Sequence, residues 1–482
     1  MDSVETGRGT RHVRTGATVQ AMDTEAFRGL LTPLGRDLLA EADGADLTEA
    51  GLLATATRLR GRFPADLVNA ALTQLRLRDR ARAKFGDDAS RMFFTPAGLE
   101  QSTRAGVASY RARRFADSPE IHRTLEVGCG IGADLLARAL AGVPGDGVEL
   151  DPLTAEVAAA NLAAFGVEGT ASVRTGDGTA ADPSGYGAVF ADPGRRTARG
   201  RVFDPRAYEP PLDVVLEMAR SVPAACVKVA PGIPHEAVPD GAEAEWISVG
   251  GDVKEAALWL GGLAGAVRRR ATLIPSAQGS SFAHPQVEAG RKAASGPSPA
   301  GRPASPGSSH GAGGVVTLTP DDGLGEPEVR GWGRYLYEPD GAVIRAHLVA
   351  EVAARVGGGL VDPRIAYITS DGLVATPFAA AYEIEDVLPF SVKRLRAELR
   401  RRGAGALTIK KRGFAADVER LRRDLGFGGG RRPARGKNMG KAGNGPVPGA
   451  SPDPGEVTVV LTRVGDDPVA VLARAERPKP AQ

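Results

Sequence analysis

A chain of 482 residues is longer than one ordinary hydrophobic core can serve, so two or three domains are expected. Hydrophobic residues at 42% and charged residues at 25% give a soluble globular profile, while 63 Gly and 35 Pro predict that part of the chain is linker. Cys129 and Cys226 are too few for a disulfide scaffold and have no partner at metal-ligand spacing, so no metal is expected. No window reaches the ~20 apolar residues of a membrane span, and residues 1–22 lack the apolar run of a signal peptide, which predicts a cytoplasmic protein without a membrane partner.

The net charge of +3 conceals a segregated distribution. Residues 58–114 carry 13 Lys/Arg against 5 Asp/Glu, and residues 393–441 carry 17 against 4, so the remainder is acidic. Basic flanks of this kind suit a polyanionic partner; the same composition also arises from arginine-rich solvated helices.

In chain order, residues 1–22 read as a disordered tail, and Met22 ahead of Asp23, Thr24 and Glu25 reads as the initiator. Residues 23–117 form a helical subdomain of four or five short helices, with leucines recurring at three and four from Leu30 to Leu75. Within it, Phe93 and Phe94 lead to a Thr95 cap, Pro96 at the first helical position, and one helix running to about Arg114. Residues 118–275 change texture to apolar strands at 124–127, 147–150, 171–175, 188–191, 225–229, 244–249 and 267–273. Helical stretches at 133–140, 154–165, 212–221 and 253–260 separate them, which predicts a doubly wound, Rossmann-like sheet of seven strands with an antiparallel last strand. Residues 276–314 are a flexible Ser/Pro/Gly/Ala linker, and residues 315–475 form a smaller α/β domain with a disordered insertion at 428–455. The smaller domain should hold a helix at 344–356, strands at 365–369, 407–410, 457–462 and 470–473, and helices around Leu395 and at 415–425.

The chemistry lies in the larger sheet. Its first strand runs into Glu126-Val127-Gly128-Cys129-Gly130-Ile131-Gly132, where glycines permit a tight turn and close backbone approach to a ligand at a helix N-terminus. Three acids follow the next three strands. Glu149 closes the second, beside Asp151; Asp177 follows the third in Gly176-Asp177-Gly178; Asp192-Pro193 closes the fourth. Each acid alone is as well read as a helix cap, but their joint spacing resembles the class I S-adenosylmethionine-dependent methyltransferases over about 150 residues. That resemblance implies S-adenosyl-L-methionine as cofactor. It implies that Glu126, Gly128, Gly130 and Gly132 shape the methionine-side pocket, Glu149 holds the ribose with Asp151 as second choice, Asp177 meets the adenine, and Asp192 with Pro193 faces the acceptor.

The run Asp192-Pro193-Gly194-Arg195-Arg196 departs from the Asp/Asn-Pro-Pro-aromatic pattern of base-amino methyltransferases, lacking the second Pro and the aromatic. Phe203 or Tyr208 would have to supply a stacking surface, and Arg195 and Arg196 a phosphate contact, or simply an exposed charged loop. The Phe94-Thr95-Pro96 segment is similar to that upstream of the core in trimethylguanosine synthases, which implies a lid carrying Gln101 and Thr103. The carboxyl-terminal module resembles the THUMP-like domain found behind bacterial methyltransferases, through Tyr335–Asp340 and the run Ile409-Lys410-Lys411-Arg412-Gly413. True THUMP domains bind RNA, so Lys410, Lys411 and Arg412, with Lys393, Arg394, Arg396, Arg400, Arg401 and Arg402 before them, are candidate phosphate ligands and RNA is the expected partner, a transfer or ribosomal RNA base the expected acceptor. A small-molecule methyltransferase and a non-catalytic, cofactor-binding RNA-interaction protein remain the alternatives. The oligomeric state is not legible.

Overall fold

The computed structural model describes residues 23–194, 208–276, 281–282, 314–427 and 455–476, together with the backbone pairing of 196–197, 200–201 and 308–310. The expected tail, most of the expected linker and nearly all of the expected insertion lie outside these residues.

The amino-terminal region is helical because polar caps recur ahead of leucine-rich runs. Helices α1 (Thr24–Leu31), α2 (Pro33–Ala42), α3 (Glu49–Leu59) and α5 (Pro96–Gln101) begin where Asp23, Thr32, Thr48 and Thr95 each accept a backbone N–H two or three residues on. Between α3 and α5, α4 (Ala65–Phe85) runs 21 residues to Gly86, and α6 (Ala105–Ala116) follows α5. The single helix expected from Pro96 to Arg114 is therefore two. The ammonium of Lys84 on α4 donates to the carbonyls of Leu99 (2.7 Å), Glu100 (2.8 Å) and Ser102 (2.7 Å), so a cation satisfies the carbonyls left over where α5 stops.

The large sheet starts with β1 (Thr124–Val127), α7 (Ala133–Leu140), β2 (Gly145–Glu149), α8 (Pro152–Ala164), β3 (Ala171–Thr175) and β4 (Ala188–Ala191). A two-residue hairpin, β5 (Arg196–Thr197) and β6 (Gly200–Arg201), precedes α9 (Leu212–Arg220), β7 (Ala224–Val229), β8 (Glu243–Val249), β9 (Asp252–Gly261), β10 (Arg269–Ile274), β11 (Ser308–His310) and β12 (Val316–Leu318). The order across the sheet is β3-β2-β1-β4-β7-β9-β8-β10-β12-β11, ten strands where seven were expected. From β3 to β7 all pairings are parallel.

Two expectations are corrected here. Residues 253–260 are strand, not helix: β9 lies antiparallel to both β7 and β8. Its run Glu255-Ala256-Ala257-Leu258-Trp259-Leu260 is buried throughout, and a continuous apolar run carries no period that separates a strand from a helix. Gly250 and Gly251, at φ 59° and 90°, make the reversal from β8 without a crossover helix. The last of the expected strands, β10, is in turn parallel to β8, because the antiparallel member is β9.

The Ser/Pro/Gly tract after β10 is not wholly outside the core. Phe282 is 3% exposed, with ring centroids 5.9 Å from Phe85 and 5.6 Å from Phe165, and its N–H donates to Asp88 at 3.3 Å. Val316–Leu318, expected to open the smaller domain, instead adds to the large sheet through β10.

The second sheet comprises β13 (Tyr335–Pro339), α10 (Gly341–Arg345), α11 (Val349–Arg355), β14 (Gly359–Asp362), β15 (Ile365–Ser370), β16 (Ala379–Pro389), α12 (Val392–Arg401), β17 (Ala406–Lys411), α13 (Val418–Asp424), β18 (Glu456–Val464) and β19 (Asp467–Glu476). Its order is β14-β15-β13-β16-β19-β18-β17, antiparallel except between β17 and β18. The helix expected at 344–356 is broken at His347, whose φ is 55°. Ala342, Val343 and Ala346 of this break enter one hydrophobic core with Trp246, Leu258 and Ala271, so the two sheets share a core.

Truncating the anchor in the Ser/Pro/Gly tract should be costly. Phe282→Ala is expected to destabilise the fold by about 3–5 kcal/mol, read from the midpoint of urea unfolding; a midpoint unchanged from wild type would show that the tract carries no packing load.

Candidate functional site

Parallel pairing brings the carboxyl ends of β1, β2, β3, β4 and β7 to one edge, with the switch in strand order beside β1. A cleft of about 1110 Å³ opens there, walled on one side by residues 95–103 of the helical subdomain and on the other by Tyr208–Pro211 and Val214.

The loop after β1 supplies the floor. Gly128, Gly130 and Gly132 hold φ of 71°, 56° and 80°, a backbone that only glycine adopts readily. A Cβ on Gly128 or Gly130 would meet nothing within 4 Å, so beyond the left-handed turn their bareness keeps the cleft open. Gly98 is bare for another reason. A Cβ there would sit 2.3 Å from Cγ2 of Ile131, so this glycine lets α5 lie directly on the loop.

Glu149 is half-buried at the end of β2, its Oε2 accepting the Gly130 N–H at 2.8 Å and its Oε1 the Asp151 N–H at 3.1 Å. Asp151 is exposed and caps α8, accepting from the Thr154 N–H (2.8 Å) and hydroxyl (2.6 Å). Asp177 is exposed and accepts from the hydroxyl (2.7 Å) and N–H (2.9 Å) of Thr179, which hold its carboxyl below the usual carboxylate range. Leu150, between Glu149 and Asp151, is 73% exposed and forms an apolar wall that sequence reasoning did not single out. Glu126 borders the same cleft, but it is buried and paired with the equally buried Arg138 of α7. Burial pushes its carboxyl up to about 7, with Arg138 partly opposing the shift.

At the end of β4 Asp192 is half-buried at the cleft wall and Pro193 is buried. One Asp192 oxygen, Oδ2, contacts the ammonium of Lys228 on β7. Lys228 is 4% exposed and also donates to the Thr103 hydroxyl at 2.6 Å. Thr103 in turn donates to Asp134 at 2.7 Å, and Asp134 is paired with buried Arg111 of α6. Sequence reasoning missed Lys228, although its signal was present. It is the one charged residue in the strand Ala-Ala-Cys-Val-Lys-Val, and a lysine held inside a core strand must find partners.

Other expected residues are placed elsewhere. Tyr208 is 1% exposed and its hydroxyl accepts from the Ala230 N–H at 3.3 Å, so its ring packs into the core instead of offering a free stacking face. Arg195, Phe203 and the side chain of Arg196 lie outside the described residues. Lys410 and Lys411 close strand β17 of the second sheet, Arg412 follows it, and none of the three lines the cleft. Lys410 pairs with Glu338, Arg412 lies 3.8 Å from the same carboxylate, and Lys411 donates to the Ala416 carbonyl at 2.5 Å. The basic character open to solvent is nearby on α12, where Lys393, Arg394 and Arg400 are exposed. Thr103 lies in the turn between α5 and α6, not on the lid helix expected to carry it.

A THUMP domain-like family model matches residues 379–475, and a domain of unknown function matches residues 23–81. Two relatives from Mycobacterium tuberculosis, strains CDC 1551 / Oshkosh and ATCC 25618 / H37Rv, are each described as an uncharacterized S-adenosylmethionine-dependent methyltransferase. Each is 35% identical over 366 residues, covering 74% of this chain and 88% of the relative. A crystal structure of a proposed methyltransferase from Porphyromonas gingivalis W83 covers 89% of this chain and 99% of its own with a TM-score of 0.59 at 19% identity, a likeness of fold.

The buried Glu126 makes stability depend on pH. Its native value of about 7 lies above the ordinary 4.5, so its contribution is fully present below about 4.5 and is lost as pH rises through 7. Glu126→Gln should therefore remove part of the fall in stability between pH 5 and 8, leaving a pH-independent cost from the unpaired Arg138. Parallel urea-midpoint profiles for the two proteins would contradict this.

Proposed function

This chain belongs to the S-adenosylmethionine-dependent methyltransferases, and we propose that it transfers the methyl group to a base of transfer or ribosomal RNA. The cleft suits an adenosyl sulfonium. The open backbone at Gly128 and Gly130 leaves room for the methionine end, with Gly132 and Glu126 shaping the pocket behind it. Glu149 is held at the loop by two backbone N–H groups, and each of its oxygens keeps a further lone pair for a ribose hydroxyl, with Asp151 beside it. Leu150 offers the adenine an apolar face, and Asp177 can accept from its amino group.

S-adenosylmethionine supplies a methyl carbon on a positively charged sulfur. What the chain must add is alignment, holding the acceptor's lone pair in line with that carbon and with the sulfur that would leave with the bonding electron pair. Asp192 and Pro193 stand at the strand edge where the acceptor would approach, and Asp192 is the carboxylate able to take an acceptor N–H.

The observation that carries the RNA reading is the exposed basic face of α12, Lys393, Arg394 and Arg400, inside the THUMP-like match. A cationic helix on such a module suits a phosphate backbone.

The test is transfer of labelled methyl from S-adenosylmethionine to fractions from a deletion strain. Label in transfer or ribosomal RNA is expected; label in small molecules alone, or saturable S-adenosylhomocysteine binding without transfer to anything, would overturn the reading. Asp192→Ala should lower transfer by about 10²-fold or more while product affinity stays within about threefold, and Gly130→Arg should abolish product binding by calorimetry. Replacing Lys393, Arg394 and Arg400 by Ala should weaken RNA affinity and flatten its log–log salt dependence by roughly 2–3. An unchanged slope would remove α12 from the interface.

A further inference from the structure

Lys228 and its partners form a buried charge assembly whose composition bears on the acceptor. The pairing of Val227 with Ala191 brings the next residues, Lys228 and Asp192, side by side at the ends of β7 and β4. On its other flank Lys228 pairs in register with Ala257 of β9, which puts Glu255 two residues along that strand, with Oε2 4.0 Å from the ammonium. Asp134 Oδ2 stands 3.8 Å away, and Arg111 contacts both Asp134 and Glu255. Thr103 accepts from Lys228 and donates to Asp134, so the turn between α5 and α6 is tied into the set.

Three carboxylates, Asp134, Asp192 and Glu255, thus meet two cations, Lys228 and Arg111. The side chains of Lys228, Arg111, Asp134 and Glu255 are 5%, 1%, 8% and 6% exposed, and that of Asp192 is 25% exposed. Asp134 and Asp192 both border the cleft, and Asp192 is the more exposed of the two, so it is the acid of the assembly most open to a ligand there. Its Oδ2 is taken by Lys228, and its Oδ1 has no hydrogen-bond partner among the described residues.

We propose that Lys228 is a positioning residue for methyl transfer: by holding Oδ2 of Asp192 and the Thr103 hydroxyl together, it fixes Oδ1 as the oxygen presented to the acceptor and locks the 102–104 turn against that edge. This rests on the proposed placing of the acceptor at Asp192. A cation elsewhere in the core would serve stability alone. One that grips a single oxygen of the cleft-facing acid also sets which lone pairs remain and where they point, and that alignment matters when the acceptor is being attacked.

The test compares Lys228→Met, Asp192→Asn and the double variant on whichever cell fraction the wild-type chain labels. S-adenosylhomocysteine affinity by calorimetry serves as the check that the cleft is intact. Lys228→Met is expected to lower kcat by about 10²-fold with KM and product affinity within about threefold, and the double variant to be no slower than Asp192→Asn by more than about threefold, because the two side chains act as a unit. Wild-type kcat in Lys228→Met, or losses that multiply in the double variant, would overturn the proposal. Should Lys228→Met fail to fold, Thr103→Val decides, with kcat expected to fall by about tenfold at unchanged product affinity and a wild-type kcat overturning the idea. Label confined to a non-RNA fraction would sink the RNA reading alone and leave this comparison standing. No transfer by the wild-type chain to any fraction would sink both.

Discussion

Parallel pairing is the constraint from which the site follows. Strands β3, β2, β1, β4 and β7 run in one direction, so each chain segment leaving them emerges at the same edge. Gly128–Gly132, Glu149, Asp177, Asp192 and Lys228 are far apart in sequence and become neighbours for that reason alone. Parallel neighbours need crossover connections, and α7, α8 and α9 are short helices with buried residues that supply them between β1 and β2, β2 and β3, and β4 and β7. The helical subdomain then closes the open side of the edge, made possible where Gly98 lets α5 rest on Ile131.

Much of this was legible because it depends on local chemistry. Strands β1, β3 and β4 lie at their expected bounds, since each is a short β-forming run between turn residues. The acids at strand ends were found because turn and strand signals bracket them. What escaped reading depends on partners distant in sequence. Residues Ala256–Leu260 of β9 are apolar and buried without a period of their own, and only the pairing with β7 and β8 identifies them as a strand. The 11-residue strand β16 was not recognised at all, because Glu383, Glu385 and Asp386 interrupt its apolar residues and their pairing with Arg334, Arg474 and Arg402 is a tertiary fact.

The candidate site divides along the same line. Backbone demands, such as positive φ at Gly128, Gly130 and Gly132, leave a mark on residue choice. Side-chain electrostatics leave much less. Lys410 and Arg412 read as cations for a phosphate, whereas Glu338 on a distant strand already faces them. Tyr208 reads as a stacking ring, whereas Pro210 and Pro211 with the Gly194–Glu209 bridge fold its loop back so that the ring is enclosed.

The stretch between Phe282 and Val316 is pinned at both ends, to the helical subdomain at one and to the large sheet's edge at the other. It therefore does not join two bodies free to drift apart, since the sheets on either side of it already share a core. Covalent continuity there contributes mainly an effective concentration, and doubling the length of such a closed segment costs only about 0.6 kcal/mol. Two polypeptides divided between residues 283 and 307 would still carry complementary apolar faces, so the fold has the makings of a protein that reassembles from halves.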